Sequence, residues 1–212
     1  MRRAGRTYGV LFWLLASVQF VAPGAQRAAS GEVTGAGLQR KMDQLVAEIR
    51  AAQGDNGAFA RGGNSRWPVG QTSLAVLALR AAGVPADDPA IAGGVQYLLR
   101  HGAGMARGVY ETSLKVMAFE AVDPAAYGDE IAAGARYLIK AQQASGGWSY
   151  GGSGRTDNSN SQFAVLGLHS AAKSGARIPD AVWEAARSYF VAGQNADGGW
   201  AYRSRAGRSY GS

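Results

Sequence analysis

The chain has 212 residues, enough for one good core or two small ones, with 31 glycines, about twice the usual share, and a formal charge of +7. It holds no cysteine and only two histidines, His101 and His169, which excludes disulfides, thiolate metal sites, a cysteine nucleophile and a histidine-rich metal centre. The fold must stand on packing alone, and neither a metal nor a cofactor is expected.

The first element is MRRAGRTYGVLFWLLASVQFVAPGA: arginines at 2, 3 and 6, an apolar run from about Gly9 to Ala22 that includes Trp13, then small residues. That order is the one of a secretory signal peptide over residues 1–24, with Ala22-Pro23-Gly24 as a small-x-small cleavage site. The run is shorter than the roughly 20 residues of a spanning helix. Export to the periplasm or the extracellular space is therefore expected, and the alternative is an anchor formed by the uncleaved segment, the only membrane contact foreseen. Cleavage leaves 22 basic residues less those three against 15 acidic ones, a charge of +4. Spread along the chain, this is no nucleic-acid footprint, and no nucleic-acid partner is expected. Arg203, Arg205 and Arg208 do cluster, and they suit an anionic polymer or surface better than DNA.

Residues 25–37 read as a linker and 38–212 as a single repeat domain. Four amphipathic segments come at intervals, LQRKMDQLVAEIRAAQ, IAGGVQYLLRHG, IAAGARYLIKAQQ and AVWEAARSYFVAGQ, each with apolar residues near i, i+3, i+4 and i+7. Each runs into a glycine-aromatic turn: Gln53 to Phe59 (QGDNGAF), Gly104 to Tyr110 (GMARGVY), Gln142 to Trp148 (QQASGGW) and Gln194 to Trp200 (QNADGGW). Three of the four fit Gln-x-x-x-Gly-x-aromatic without gaps, on Gln53, Gly57 and Phe59, on Gln142, Gly146 and Trp148, and on Gln194, Gly198 and Trp200; the second keeps Gly108 and Tyr110. The aromatics recur about every 40–50 residues, the period of two-helix repeats.

A second helix follows each of the first three turns: QTSLAVLALRAAG, ETSLKVMAFEAVD and NSQFAVLGLHSAAKSG. Thr72, Thr112 and Ser161 share one repeat position, where a hydroxyl is expected to accept from first-turn N–H groups. These second helices are alanine-rich and nearly uncharged and are expected inside, whereas the first helices carry charge and face water. In this reading the tryptophans Trp148 and Trp200 are structural staples between helix pairs. The fourth unit would begin its second helix at Ser212, so the array is expected to be truncated.

Gln-x-x-x-Gly-x-Trp turns between paired helices resemble those of the terpenoid cyclase and prenyltransferase superfamily, squalene–hopene cyclases above all, over roughly Leu38 to Ser212. The resemblance implies an all-α fold, here a partial α/α toroid of two-helix repeats around an apolar hollow. In squalene–hopene cyclases an Asp-x-Asp-Asp-Thr run starts an inner helix, and its middle Asp protonates the substrate. The matching run here is Asp157-Asn158-Ser159-Asn160-Ser161. A serine stands in the donor's place, and a hydroxyl is not acid enough to protonate an alkene. Prenyltransferase β subunits and thioester proteins of this architecture both need a cysteine that the chain lacks. Asp87-Asp88, before Pro89, reads as a turn rather than a diphosphate motif.

The polar run at 157–160 is first of all a helix start, with Asn160 or Ser159 as the capping side chain. Gln71, Glu111 and Asn160 share a repeat position and would ring one opening, with Asp157 and Trp67 beside it as further ligand-binding candidates. Asp157, Glu111 and His169 are the weak catalytic candidates. His169 reads as a satisfied or half-exposed helix residue and His101 as a solvated turn residue. The expected function is a secreted, cyclase-like toroid without the proton donor, a binding or scaffold module for a small apolar or polyhydroxylated ligand or for a protein that completes the toroid. The alternatives are an enzyme with a toroid cleft, lyase-like toward polysaccharides through Glu111, Tyr110 or His169, and a fragment of a genuine terpenoid cyclase.

Overall fold

The computed structural model describes residues 35–59, 66–101 and 108–203. The signal segment, most of the linker, Arg205, Arg208 and the end of the fourth unit lie outside these residues. The described part is all-helical, with seven helices: α1 (Gly35–Ala51), α2 (Pro68–Ala81), α3 (Pro89–His101), α4 (Val109–Val122), α5 (Gly128–Ala141), α6 (Asn158–Lys173) and α7 (Asp180–Ala192). From Gln39 onward they belong to one compact unit. Every periodic segment of the sequence forms a helix, and α2 starts three residues before the polar pattern because Pro68 fits the first helical turn, where no N–H is needed.

The helices form a central row, α2, α4 and α6, in which α4 touches both of the others. Flanking helices lie against the row: α3 on α2, α5 on both α4 and α6, and α7 on α6. Burial follows composition. α4 is buried nearly all round, from Val109 through Phe119. α5 buries one stripe, Ile131, Gly134, Ala135, Leu138 and Ala141, at helical spacing, and turns Arg136 and Lys140 to water. α1 has no fully buried residue; its Val46 and Ile49 are partly buried against the core.

Three turns share one construction. Gly57, Gly146 and Gly198 all have φ of 85°, a left-handed geometry that side chains enter at a cost. Gln53 Nε2 donates to the carbonyls of Gly57 at 3.0 Å and of Ala90, in the first turn of α3, at 2.9 Å. Gln142 Nε2 repeats this with Gly146 at 2.9 Å and Val182 of α7 at 3.0 Å. The glutamine thus ties its own turn to the start of the next flanking helix. Gln194 makes the turn-closing bond to Gly198 at 2.7 Å.

The second copy differs. Tyr110 lies in the first turn of α4, while Phe59 and Trp148 precede their helices by a loop. Gly108, with φ of 87°, is the residue before α4, and the Tyr150 carbonyl lies where its Cβ would be. Val109 N–H donates to that same carbonyl at 2.9 Å.

Candidate functional site

The amino ends of α2, α4 and α6 come together. Trp67, before α2, stacks on Tyr150 with ring centres 5.5 Å apart. Tyr110 in α4 meets Trp67 edge-on at 6.4 Å and Phe163 of α6 edge-on at 4.8 Å. Trp67, Tyr110 and Phe163 are half-buried and Tyr150 is 41 % exposed, so the cluster forms a surface-reaching aromatic patch. The Arg66 guanidinium lies 5.6 Å over the Trp67 ring, within cation–π range. Trp67 is thus half-buried within this patch. Tyr150 was missed by sequence reasoning, although Trp148-Ser149-Tyr150 and Trp200-Ala201-Tyr202 repeat a Trp-x-Tyr spacing that points to it; Phe163 carries no such signal.

The expected ring of Gln71, Glu111 and Asn160 does not form. Gln71 is exposed, whereas Glu111 is fully buried and its Oε1 accepts the Gly70 N–H at 2.8 Å. Glu111 therefore joins α4 to the amino end of α2, where a carboxylate also favours the helix dipole, and it is closed off from a polymeric substrate. Asn160 is 1 % exposed and donates from Nδ2 to both carboxylate oxygens of Asp157, at 3.1 and 2.9 Å.

The helix start is capped by a different side chain from the one expected. Asp157, not Ser159 or Asn160, is the cap of α6: its Oδ1 accepts the Asn160 N–H at 2.7 Å. Its backbone N–H donates to the Trp148 carbonyl at 3.0 Å, pinning the helix to the turn. Two of the three shared hydroxyls also serve the turns before their helices. Thr72 Oγ1 accepts the Phe59 N–H at 3.1 Å, and Ser161 Oγ accepts the Trp148 N–H at 2.9 Å while donating to the Asp157 carbonyl at 2.7 Å. A turn donor buried beside an aromatic has no water to bond, which makes this the more valuable use of a hydroxyl.

His169 is exposed near the far end of α6 from Asp157, with none of the weak catalytic candidates at its own end of the helix. His101 ends α3 half-buried, its ring 4.3 Å from that of Tyr97, rather than in a solvated turn. Asp88 is a turn residue as expected: it accepts the Ala90 N–H at 2.9 Å and pairs with Arg50 at 2.7 Å. Among the described residues no group of three or more His, Asp or Glu is placed to hold a metal ion, and no helix is long and apolar enough to cross a membrane.

Burial shifts two groups near the site. The Tyr110 hydroxyl is pushed above its usual value by burial, then by the negative charge of Tyr150 and Glu111. Lys115 in α4, 8 % exposed, is pulled below 10.5 by desolvation, partly opposed by Glu130. With the folded value depressed, the unfolded chain takes up the Lys115 proton first as pH falls, so this residue's contribution to stability is present above 10.5 and is lost on the way down through the folded value. Lys115→Met is expected to hold or raise the melting temperature at pH 7 and to flatten this part of the pH dependence. Melting curves of both proteins from pH 7 to about 11, across the unfolded value of 10.5, check it; an unchanged slope with a lower melting temperature counts against it.

No family model matches the chain, and no curated protein matches it.

Proposed function

We propose that the chain is an exported α/α-toroid repeat protein, cyclase-like in architecture, that binds rather than cyclises. Its central row would line the hollow and its aromatic patch the mouth, where a small apolar or polyhydroxylated ligand is held. One observation carries the non-catalytic part. The residue in the proton donor's place is Ser159, and the one acid beside it, Asp157, is 2 % exposed with both carboxylate oxygens engaged by Asn160. Its two oxygens are committed to the start of α6, through the Asn160 N–H and side-chain amide, and so are not presented to a bound alkene.

The test is incubation of the purified full chain with squalene, followed by product analysis. No cyclic product is expected, and any cyclic product refutes the reading. In the same assay squalene and neutral oligosaccharides are titrated while tryptophan fluorescence is followed. A ligand of the mouth loses affinity in Trp67→Ala, and the absence of a response to every compound in the panel counts against small-molecule binding.

A further inference from the structure

Two of the Gln-x-x-x-Gly-x-aromatic turns carry a side-chain carbonyl directly before their glycine. They are Asn56-Gly57 in the first turn and Asp197-Gly198 in the fourth, where the third has Ser145-Gly146. The local geometry is the same in both. Asn56 Oδ1 accepts the Ala58 N–H at 3.0 Å, and Asp197 Oδ1 accepts the Gly199 N–H at 3.0 Å. Such a bond folds the side chain back along the backbone, which carries its Cγ toward the glycine nitrogen in between. A glycine has no Cβ to shield that nitrogen. Its N–H donates to the carbonyl three residues earlier, Gly54 at 2.8 Å or Asn195 at 2.9 Å.

Attack of the glycine nitrogen on Cγ closes a cyclic imide. The nitrogen gives up its proton, and Cγ loses ammonia from an asparagine or water from a protonated aspartic acid. Water then adds to either imide carbonyl, and one of the two openings routes the backbone through the side-chain carbon as isoaspartate. In a mobile chain the asparagine reacts faster, because a carboxylate must first take up a proton before its oxygen can leave as water.

The fold reverses that order. Ring closure requires the peptide group between the two residues to turn, and in the first turn this group is clamped to α3. The Asn56 carbonyl accepts Arg100 Nη2 at 2.8 Å, Gly57 is buried, and a Cβ on Gly57 would fall on the Gly93 carbonyl. Gln53 holds the Gly57 carbonyl and Ala90 together. In the fourth turn Asp197 and Gly198 are exposed, and nothing described lies within 4 Å of where a Cβ on Gly198 would be. Gln194 closes that turn on Gly198 without reaching a further helix.

We infer that Asp197-Gly198 is a site of spontaneous isoaspartate formation in the folded protein, and that α3 shields Asn56-Gly57 from the same chemistry. The product adds one backbone carbon to the fourth turn. It displaces the Gly198 carbonyl from Gln194 and shifts Trp200, whose indole donates to the Phe190 carbonyl at 2.7 Å. The inference stands apart from the ligand reading above, since it needs no ligand.

The experiment ages the full chain at neutral pH and physiological temperature, with and without urea, and follows tryptic peptides 51–61 and 188–203 by chromatography and mass spectrometry. Circular dichroism confirms that the chain without urea stays helical. In the folded chain, peptide 188–203 is expected to split into two forms of equal mass, while 51–61 keeps its mass. In urea the order reverses: 51–61 gains the mass of deamidation first, at least about tenfold faster than in the folded chain, because the native turn no longer has to open. Gly198→Ala should suppress the second form of 188–203. Arg100→Ala should speed native deamidation of Asn56 by roughly tenfold, the lower value of a hydrogen bond to a charged group. The inference is overturned if folded 188–203 stays a single form, if Asn56 deamidates at the same rate with and without urea, or if Arg100→Ala leaves the Asn56 rate unchanged.

Discussion

Trp148→Ala is expected to lower the unfolding free energy by about 3–5 kcal/mol, the range for removing a fully buried large aromatic, while Trp200→Ala costs about 1–2 kcal/mol. Both side chains occupy the same place in the same turn, so local sequence does not separate them. Trp148 has no exposed surface and packs in the main core, and its indole N–H satisfies the Leu138 carbonyl at 2.8 Å, itself a buried group. Its removal opens a cavity and orphans an acceptor. Trp200 keeps 41 % of its surface in water and gives back little on truncation. Urea unfolding of the two variants measures the difference; equal midpoints would mean that Trp148 is not the centre of the core.

Gly146→Ala and Gly198→Ala form the second pair, with expected losses of about 3 and about 1 kcal/mol. Both glycines have φ of 85°, so both variants bear the left-handed backbone penalty of roughly 1–2 kcal/mol. Only Gly146 has a second helix seated on it: an added Cβ would fall on the Ala185 carbonyl of α7 and 3.3 Å from Tyr189 Cβ, whereas around Gly198 nothing described lies within 4 Å. Displacing α7 adds an overpacking cost of about 1–3 kcal/mol. The same denaturation experiment applies, and identical losses would show that α7 does not bear on the turn.

The helices were legible because their apolar residues recur at helical spacing, and the three Gln–Gly–aromatic turns because each residue has a local geometric duty: Gly57, Gly146 and Gly198 supply φ, and Gln53 and Gln142 fix the next helix. The second copy misled because Gly108 and Tyr110 keep the letters of the motif while their environment differs. Gly108 makes room for the Tyr150 carbonyl, a contact set by chain crossing and not by neighbours in sequence. The site was less legible for the same reason. The shared repeat position of Gln71, Glu111 and Asn160 suggested three equivalent side chains, but equivalence in a row does not extend to its ends. Glu111 has α2 to bond, Asn160 turns to Asp157, and Gln71 meets solvent. The cap was assigned to the wrong side chain because Asp157, Ser159 and Asn160 are all competent acceptors, and only the bridge from Asp157 to Trp148 decides where the helix begins.

The position of α4, flanked on either hand by α2 and α6 and backed by α5, has a bearing on how the molecule comes apart. α1 buries no residue fully and α7 only three, so these segments fray first, but releasing α4 severs the row into pieces that each lack a covered face. Amide protons of Val116, Ala118 and Phe119 should therefore exchange only through global unfolding and report its full free energy, while those of α1 exchange through small local excursions.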